Sequence, residues 1–153
     1  MVENKPKIAQ LDPVWEKIRS EAEQVLQDEP LLGAFIHKNL LQHSKIEDAL
    51  AHRISLKLAS MEISEQYFRD FCNRAYSEDE SLAAFARSDI MATFERDPAC
   101  YRFLQPLLYF KGFQAIQAHR IGHFMWKHGK CDIAYFIQSR VSEVFGIDIH
   151  PGA

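Results

Sequence analysis

The sequence predicts an all-α fold, and three observations carry that prediction. Apolar residues recur at three- and four-residue spacing through most of the 153 residues, the signature of amphipathic helices. Most of these stripes begin or end at a helix-start or helix-stop residue. Six glycines and six prolines amount to about 8% of the chain, against a usual sum of about 12%.

Each element follows from its own signals. Residues 1–10 are polar and expected to form a loose tail. Asp12-Pro13 opens the first helix: aspartate suits the N-cap and proline the first helical position. Trp15, Ile18, Ala22, Val25 and Leu26 then make one apolar stripe. Asp28-Glu29-Pro30 breaks it and starts a second helix through Leu31, Leu32, Phe35 and Ile36. Ser44-x-x-Glu47 reads as a capping box, followed by Ala49, Leu50, Ile54 and Leu58. Ser64 is expected to cap a helix whose inner face holds Tyr67, Phe68, Phe71 and Ala75. Ser77-x-x-Glu80 reads as a second capping box before Leu82, Phe85, Ile90 and Phe94.

Asp97-Pro98 repeats the cap-then-proline signal. Gln105-Pro106 opens the longest periodic segment, which runs to Gly129 at a C′ position. One stripe of it is bulky (Tyr109, Phe113, Ile116, Phe124) and one is small (Ala115, Ala118, Gly122). Glycine inside a helix costs about 1 kcal/mol relative to alanine, so Gly112 and Gly122 point to close packing partners. A last helix spans roughly 133–144 and ends at Gly146. Ile147-Asp148-Ile149-His150-Pro151 then alternates apolar and polar, like the first strand of another unit. The expected organisation is a tail over 1–10, a helical domain over 11–146, and the start of a second domain over 147–153.

Composition excludes several classes. Apolar residues make up 47% and charged residues 25%, which is too apolar for disorder. No apolar run is long enough to span a membrane, and Met1–Lys7 has no apolar core after its charges, so no membrane partner and a cytoplasmic location are expected. Residues 1–100 carry a net −6 and residues 101–153 a net +3, too weak for a nucleic-acid footprint. Cys72, Cys100 and Cys131 are odd in number and lack a CxxC pair, so buried or half-buried free thiols are expected.

Few constellations carry chemistry. His119 and His123 share a helix face at a spacing that can hold a metal, but a site needs further ligands, so no metal is assigned. No nucleotide-binding glycine loop or nucleophile elbow occurs. Two carboxylates remain. Asp97 is either an N-cap at an interhelix corner or a binding group. Asp148, between Ile147 and Ile149, is either a solvated strand residue or a group that orients a histidine or binds an amine.

Longer motifs carry a family resemblance. Asp97-Pro98-Ala99-Cys100, then Pro106-Leu107-Leu108-Tyr109-Phe110-Lys111-Gly112-Phe113-Gln114-Ala115, then His119-Arg120-Ile121-Gly122-His123 resemble the N-terminal part of bacterial serine acetyltransferases. The run from Gln138 to Pro151 resembles the same family just before its left-handed β-helix. Trp15-x-x-Ile18-Arg19-x-Glu21-Ala22 and Glu29-Pro30-Leu31-Leu32 resemble it too. The resemblance implies a multi-helix domain with only the first strand of a left-handed parallel β-helix. It implies transfer of an acetyl group from acetyl-CoA to L-serine, giving O-acetyl-L-serine, at the first step of cysteine biosynthesis. Asp148 matches the family's catalytic aspartate, which steers a histidine general base, and Asp97 matches an aspartate that contacts the substrate serine. The base itself has no counterpart; in the family it lies beyond Pro151-Gly152-Ala153, and His150 does not match it. The cleft for acetyl-CoA, the co-substrate, also lies downstream in the family, so no cofactor is expected on these residues. So does the tail that binds O-acetylserine sulfhydrylase. The expectation is a fragment without turnover of its own, serving assembly in a hexamer built as a dimer of trimers. A non-catalytic helical oligomerisation module is the alternative, and a metal-binding bundle using His119 and His123 is a third class.

Overall fold

The computed structural model describes residues 11–153; the expected tail at 1–10 lies outside the described residues. Eight α-helices are found among them: α1 (Pro13–Asp28), α2 (Gly33–Ile36), α3 (Ile46–Leu58), α4 (Glu65–Glu78), α5 (Ser81–Arg96), α6 (Leu104–Tyr109), α7 (Lys111–Lys127) and α8 (Cys131–Phe145). A 3-10 turn, Pro30–Leu32, precedes α2, and a π-helical turn, His37–Leu41, follows it.

The first helix starts as its sequence dictates. The Asp12 carboxylate accepts the Trp15 amide at 3.1 Å, and Pro13 occupies the first helical position. Trp15, Ile18, Ala22 and Val25 are buried. The segment after Pro30 is one winding of mixed pitch rather than a single α-helix. Its C-terminal end leaves carbonyls free, and Arg19 of α1 donates to those of Leu41 and His43.

Both capping boxes fail. Lys45 rather than Ser44 sits at the N-cap of α3, without a side-chain bond. Glu47 pairs instead with Arg87 of α5, which also binds Asp12 at 2.8 Å. Ser77 lies inside α4, where its hydroxyl donates to the Arg74 carbonyl. The Asp79 carboxylate caps the next turn by accepting the Ser81 amide. A tertiary ion pair and a nearer carboxylate outcompete the local pattern. Ser64 does hold the N-cap of α4, but makes no side-chain cap bond.

The expected long helix from Gln105 to Gly129 is two helices. The chain breaks at Phe110, whose φ of −91° and ψ of 108° are extended. Gly129 ends α7 with φ +73°, and Gly146 ends α8 with φ +72°, as left-handed glycines at helix ends do. The short link 128–130 sets α7 and α8 as antiparallel neighbours. At Gly122 a Cβ would lie 3.3 Å from Ile137 Cγ2 of α8, so this glycine marks the close approach. Gly112 does not: it is exposed, with nothing within 4 Å.

One apolar cluster draws on α1 to α8, from Val14 to Phe145. Tyr67 and Phe85, expected inside, are 61% and 50% exposed. Cys72 and Cys100 are buried and Cys131 is exposed, all as free thiols. After Gly146, residues 147–150 form no ladder, and among the described residues no strand occurs. A single strand has no hydrogen-bonding partner and is not stable alone. No helix among the described residues is long and apolar enough to cross a membrane.

Candidate functional site

Asp97 stands at the corner between α5 and α6. It is the C-cap of α5 rather than the N-cap of a new helix; its own amide donates to the Thr93 carbonyl at 2.9 Å. Its carboxylate accepts the Ala99 amide at 2.9 Å, a local turn that aspartate makes readily. One Asp97 oxygen is therefore held and the half-buried side chain stays open to a cleft shared with Thr93, Arg96 and Pro98.

The rest of the corner is pinned by two further side chains. Gln105 Oε1 accepts the amides of Tyr101 and Arg102, at 2.7 and 2.8 Å. Glu21 of α1 accepts those of Phe103 and Leu104, at 3.1 and 3.2 Å. It thereby supplies, from across the fold, the cap that the start of α6 lacks. Burial raises the Glu21 pKa, and the two backbone hydrogen bonds oppose that rise. Lys17, one turn earlier, lies over the rings of Phe103 and Phe94, at 4.1 and 4.8 Å.

Asp148 lies after α8, exposed, with its Oδ1 accepting from Gln138 Nε2 at 2.8 Å. Its cleft is lined by Tyr135, Ser142 and Glu143 among others. That cleft shares no residue with the cleft of Asp97. The segment after Asp148 is docked on α7 and α8. The His123 ring nitrogen Nδ1 lies 2.8 Å from the Pro151 carbonyl. Trp126 and Tyr135 meet the His150 ring edge-on, at 5.0 and 5.7 Å. His150 is thus packed as part of this anchor. The rings of His119 and His123 are 6.1 Å apart, and no group of three or more potential metal ligands forms among the described residues.

Residues 14–118 match the family described as serine acetyltransferase, N-terminal. The chain belongs to the serine acetyltransferase family. The serine acetyltransferase of Salmonella typhimurium is 42% identical over 144 residues, which cover 94% of this chain and 53% of that protein. A solved serine acetyltransferase of Brucella abortus in complex with coenzyme A superposes with a TM-score of 0.90 at 42% identity, over 93% of this chain and 57% of that one. The Neisseria gonorrhoeae enzyme, solved in complex with serine, gives 0.88 at 41% identity, over 96% and 61%. The chain therefore spans about half the length of the curated relatives it matches, and what it shares with these serine acetyltransferases is the helical fold. Gln105 reaches amides three and four residues away, whereas Glu21, in the middle of α1, makes bonds that span 82 and 83 residues, which no local pattern encodes.

Proposed function

We propose that this chain is the helical part of a serine O-acetyltransferase, which transfers the acetyl group of acetyl-CoA to L-serine and releases CoA. The observation that carries the reading is a match, at about 40% identity over more than nine-tenths of the chain, to serine acetyltransferases solved with coenzyme A and with serine. In that reaction a general base takes the serine hydroxyl proton as the oxygen attacks the thioester carbonyl, and the CoA sulfur leaves. Asp148 is assigned to orient the base histidine, holding its tautomer and stabilising the imidazolium. Its exposed carboxylate, steadied at Oδ1 by Gln138, leaves the other oxygen for that bond. Asp97 is assigned to the substrate ammonium group, and its position at a pinned corner supports a fixed anion there. Neither assignment gives the 153 residues a base, so the chain alone is expected to be without turnover. Self-association as part of a dimer of trimers is proposed with it, supported by exposed Leu31, Met61 and Tyr67, and acts as the second reading for the chain on its own.

A thiol-release assay tests this. The 153-residue chain is expected to release no CoA above background. Joined to the C-terminal half of the Salmonella relative, it is expected to release CoA in a serine-dependent way. Asp97→Ala is expected to raise the KM for serine and Asp148→Asn to lower kcat, each by about 100-fold. A joined protein that is folded yet silent, or turnover by the chain alone, overturns the reading.

A further inference from the structure

Asp148 stands on a segment that forms no ladder, yet its backbone is held on both sides. Before it, the Gly146 amide donates to the Ser142 carbonyl at 2.9 Å and ends α8. After it, the half-buried Ile149 and the buried Pro151 enter a groove walled by Gly122 of α7 and by Ala134 and Ile137 of α8. The Pro151 carbonyl can only accept, so His123 Nδ1 carries a proton and donates it at 2.8 Å. The Asp148 side chain needs its own restraint, because an exposed aspartate samples several rotamers unless a partner fixes it. Gln138 is that partner among the described residues. It lies ten residues earlier, on α8, and its Nε2 donates to Oδ1 at 2.8 Å.

The neighbouring charges leave this pair alone. Glu143 lines the same cleft but is engaged by Arg140 at 2.9 Å. Arg140 gives Nε and Nη2 to the carbonyls of Leu58 and Ala59. The donor that meets Asp148 is therefore a neutral amide. That choice matters chemically. A base histidine becomes an imidazolium when it takes a proton, and it is stabilised by the negative charge of its carboxylate partner. An arginine or lysine on Oδ1 would offset that charge. A carboxamide fixes one oxygen, leaves the charge in place and does not titrate. We propose that Gln138 is a positioning residue: from α8 it fixes Asp148 Oδ1 so that Oδ2 faces the base histidine. A residue of the helical domain thereby sets the orientation of the base. This inference rests on the activity, and on the role of Asp148, proposed above.

The test uses the chain joined to the C-terminal half of the Salmonella relative, assayed by thiol release. Gln138→Met keeps the size of the side chain and removes the donor. Gln138→Glu keeps its shape and sets a like charge beside Asp148. Each is expected to lower kcat about tenfold or more, with the KM for serine and for acetyl-CoA unchanged. In an Asp148→Ala background, Gln138→Met is expected to change kcat by less than about twofold, because no carboxylate is left to position. A side chain that merely supports the fold would cost the same factor in both backgrounds. Wild-type kcat in both Gln138 variants, a raised KM in place of the lowered kcat, or the full loss repeated in the Asp148→Ala background overturns the inference and leaves the activity standing. A folded joined protein that is silent with Gln138 in place, or one that Asp148→Ala does not slow, overturns the reading beneath it and the inference with it.

Discussion

His52 of α3 is 8% exposed, and its Nδ1 lies 2.8 Å from a guanidinium nitrogen of Arg69. Arginine only donates, so Nδ1 accepts and the ring proton sits on Nε2, which has no partner among the described residues. Burial, and then the Arg69 charge, lower the His52 pKa to about 4. In the unfolded chain the ring titrates near 6.5. Between those values the unfolded chain takes up a proton that the folded one refuses, so stability is complete above about pH 6.5 and falls as pH drops toward 4. The expected loss is about 3 kcal/mol, measured by urea unfolding at a series of pH values. His52→Gln keeps an acceptor for Arg69 without a titrating ring; the difference between wild type and variant should shrink by that amount over this range. A difference independent of pH refutes the assignment. Nothing in the sequence around His52 signalled this contact, because its partner is 17 residues away on another helix. Asp12 was legible because its partner is three residues away. Asp97 lies between: sequence placed it at a corner, and only the fold shows that the corner ends a helix rather than opening one.

At the scale of elements, helix existence was written in the spacing of apolar residues, whereas helix ends depended on who else was nearby. Glu47 left its capping box for Arg87 because an ion pair bridging α3 and α5 competes with a local bond. The break at Phe110 carried no glycine or proline at the break itself, so periodicity ran through it. The seam between α7 and α8 was legible, since Gly122 sits in a stripe of small residues. Its Cβ position is 3.3 Å from Ile137, so Gly122→Leu forces the helices apart. The expected cost is about 3 kcal/mol, read from urea unfolding, and Gly112→Leu at an open position serves as the comparison. The second tie is Arg140 of α8, which donates from Nε to the Leu58 carbonyl at 2.8 Å and from Nη2 to that of Ala59 at 3.1 Å. Those carbonyls end α3 and need a donor. Arg140→Met keeps most of the apolar stem and removes the bonds. It is expected to cost about 2 kcal/mol and to speed exchange at the end of α3; unchanged stability would show that water serves those carbonyls as well.

Across the whole molecule, one carboxylate couples the start of the chain to the proposed serine-binding corner. Glu21 sits on α1 yet caps α6, and α6 begins seven residues after Asp97. The corner has little else to hold it: Gln105 secures the two amides before those of Glu21, and the Asp97 carboxylate secures the one at Ala99. Loss of Glu21 therefore leaves two amides at a helix start unpaired in a half-buried place, where each orphan donor is costly. Glu21→Ala is expected to lower stability by about 1–2 kcal/mol and to remove exchange protection at Phe103 and Leu104 while sparing the seam between α7 and α8. Glu21→Gln keeps a single acceptor and should fall between the two. In the protein joined to the C-terminal half of the Salmonella relative, Glu21→Ala is expected to raise the KM for serine with little change in kcat, because a loosened corner weakens a contact made equally in ground and transition states. Protection lost evenly across the fold, rather than at the corner, would mean that Glu21 serves global stability and that the corner is set by Gln105 and Asp97 themselves.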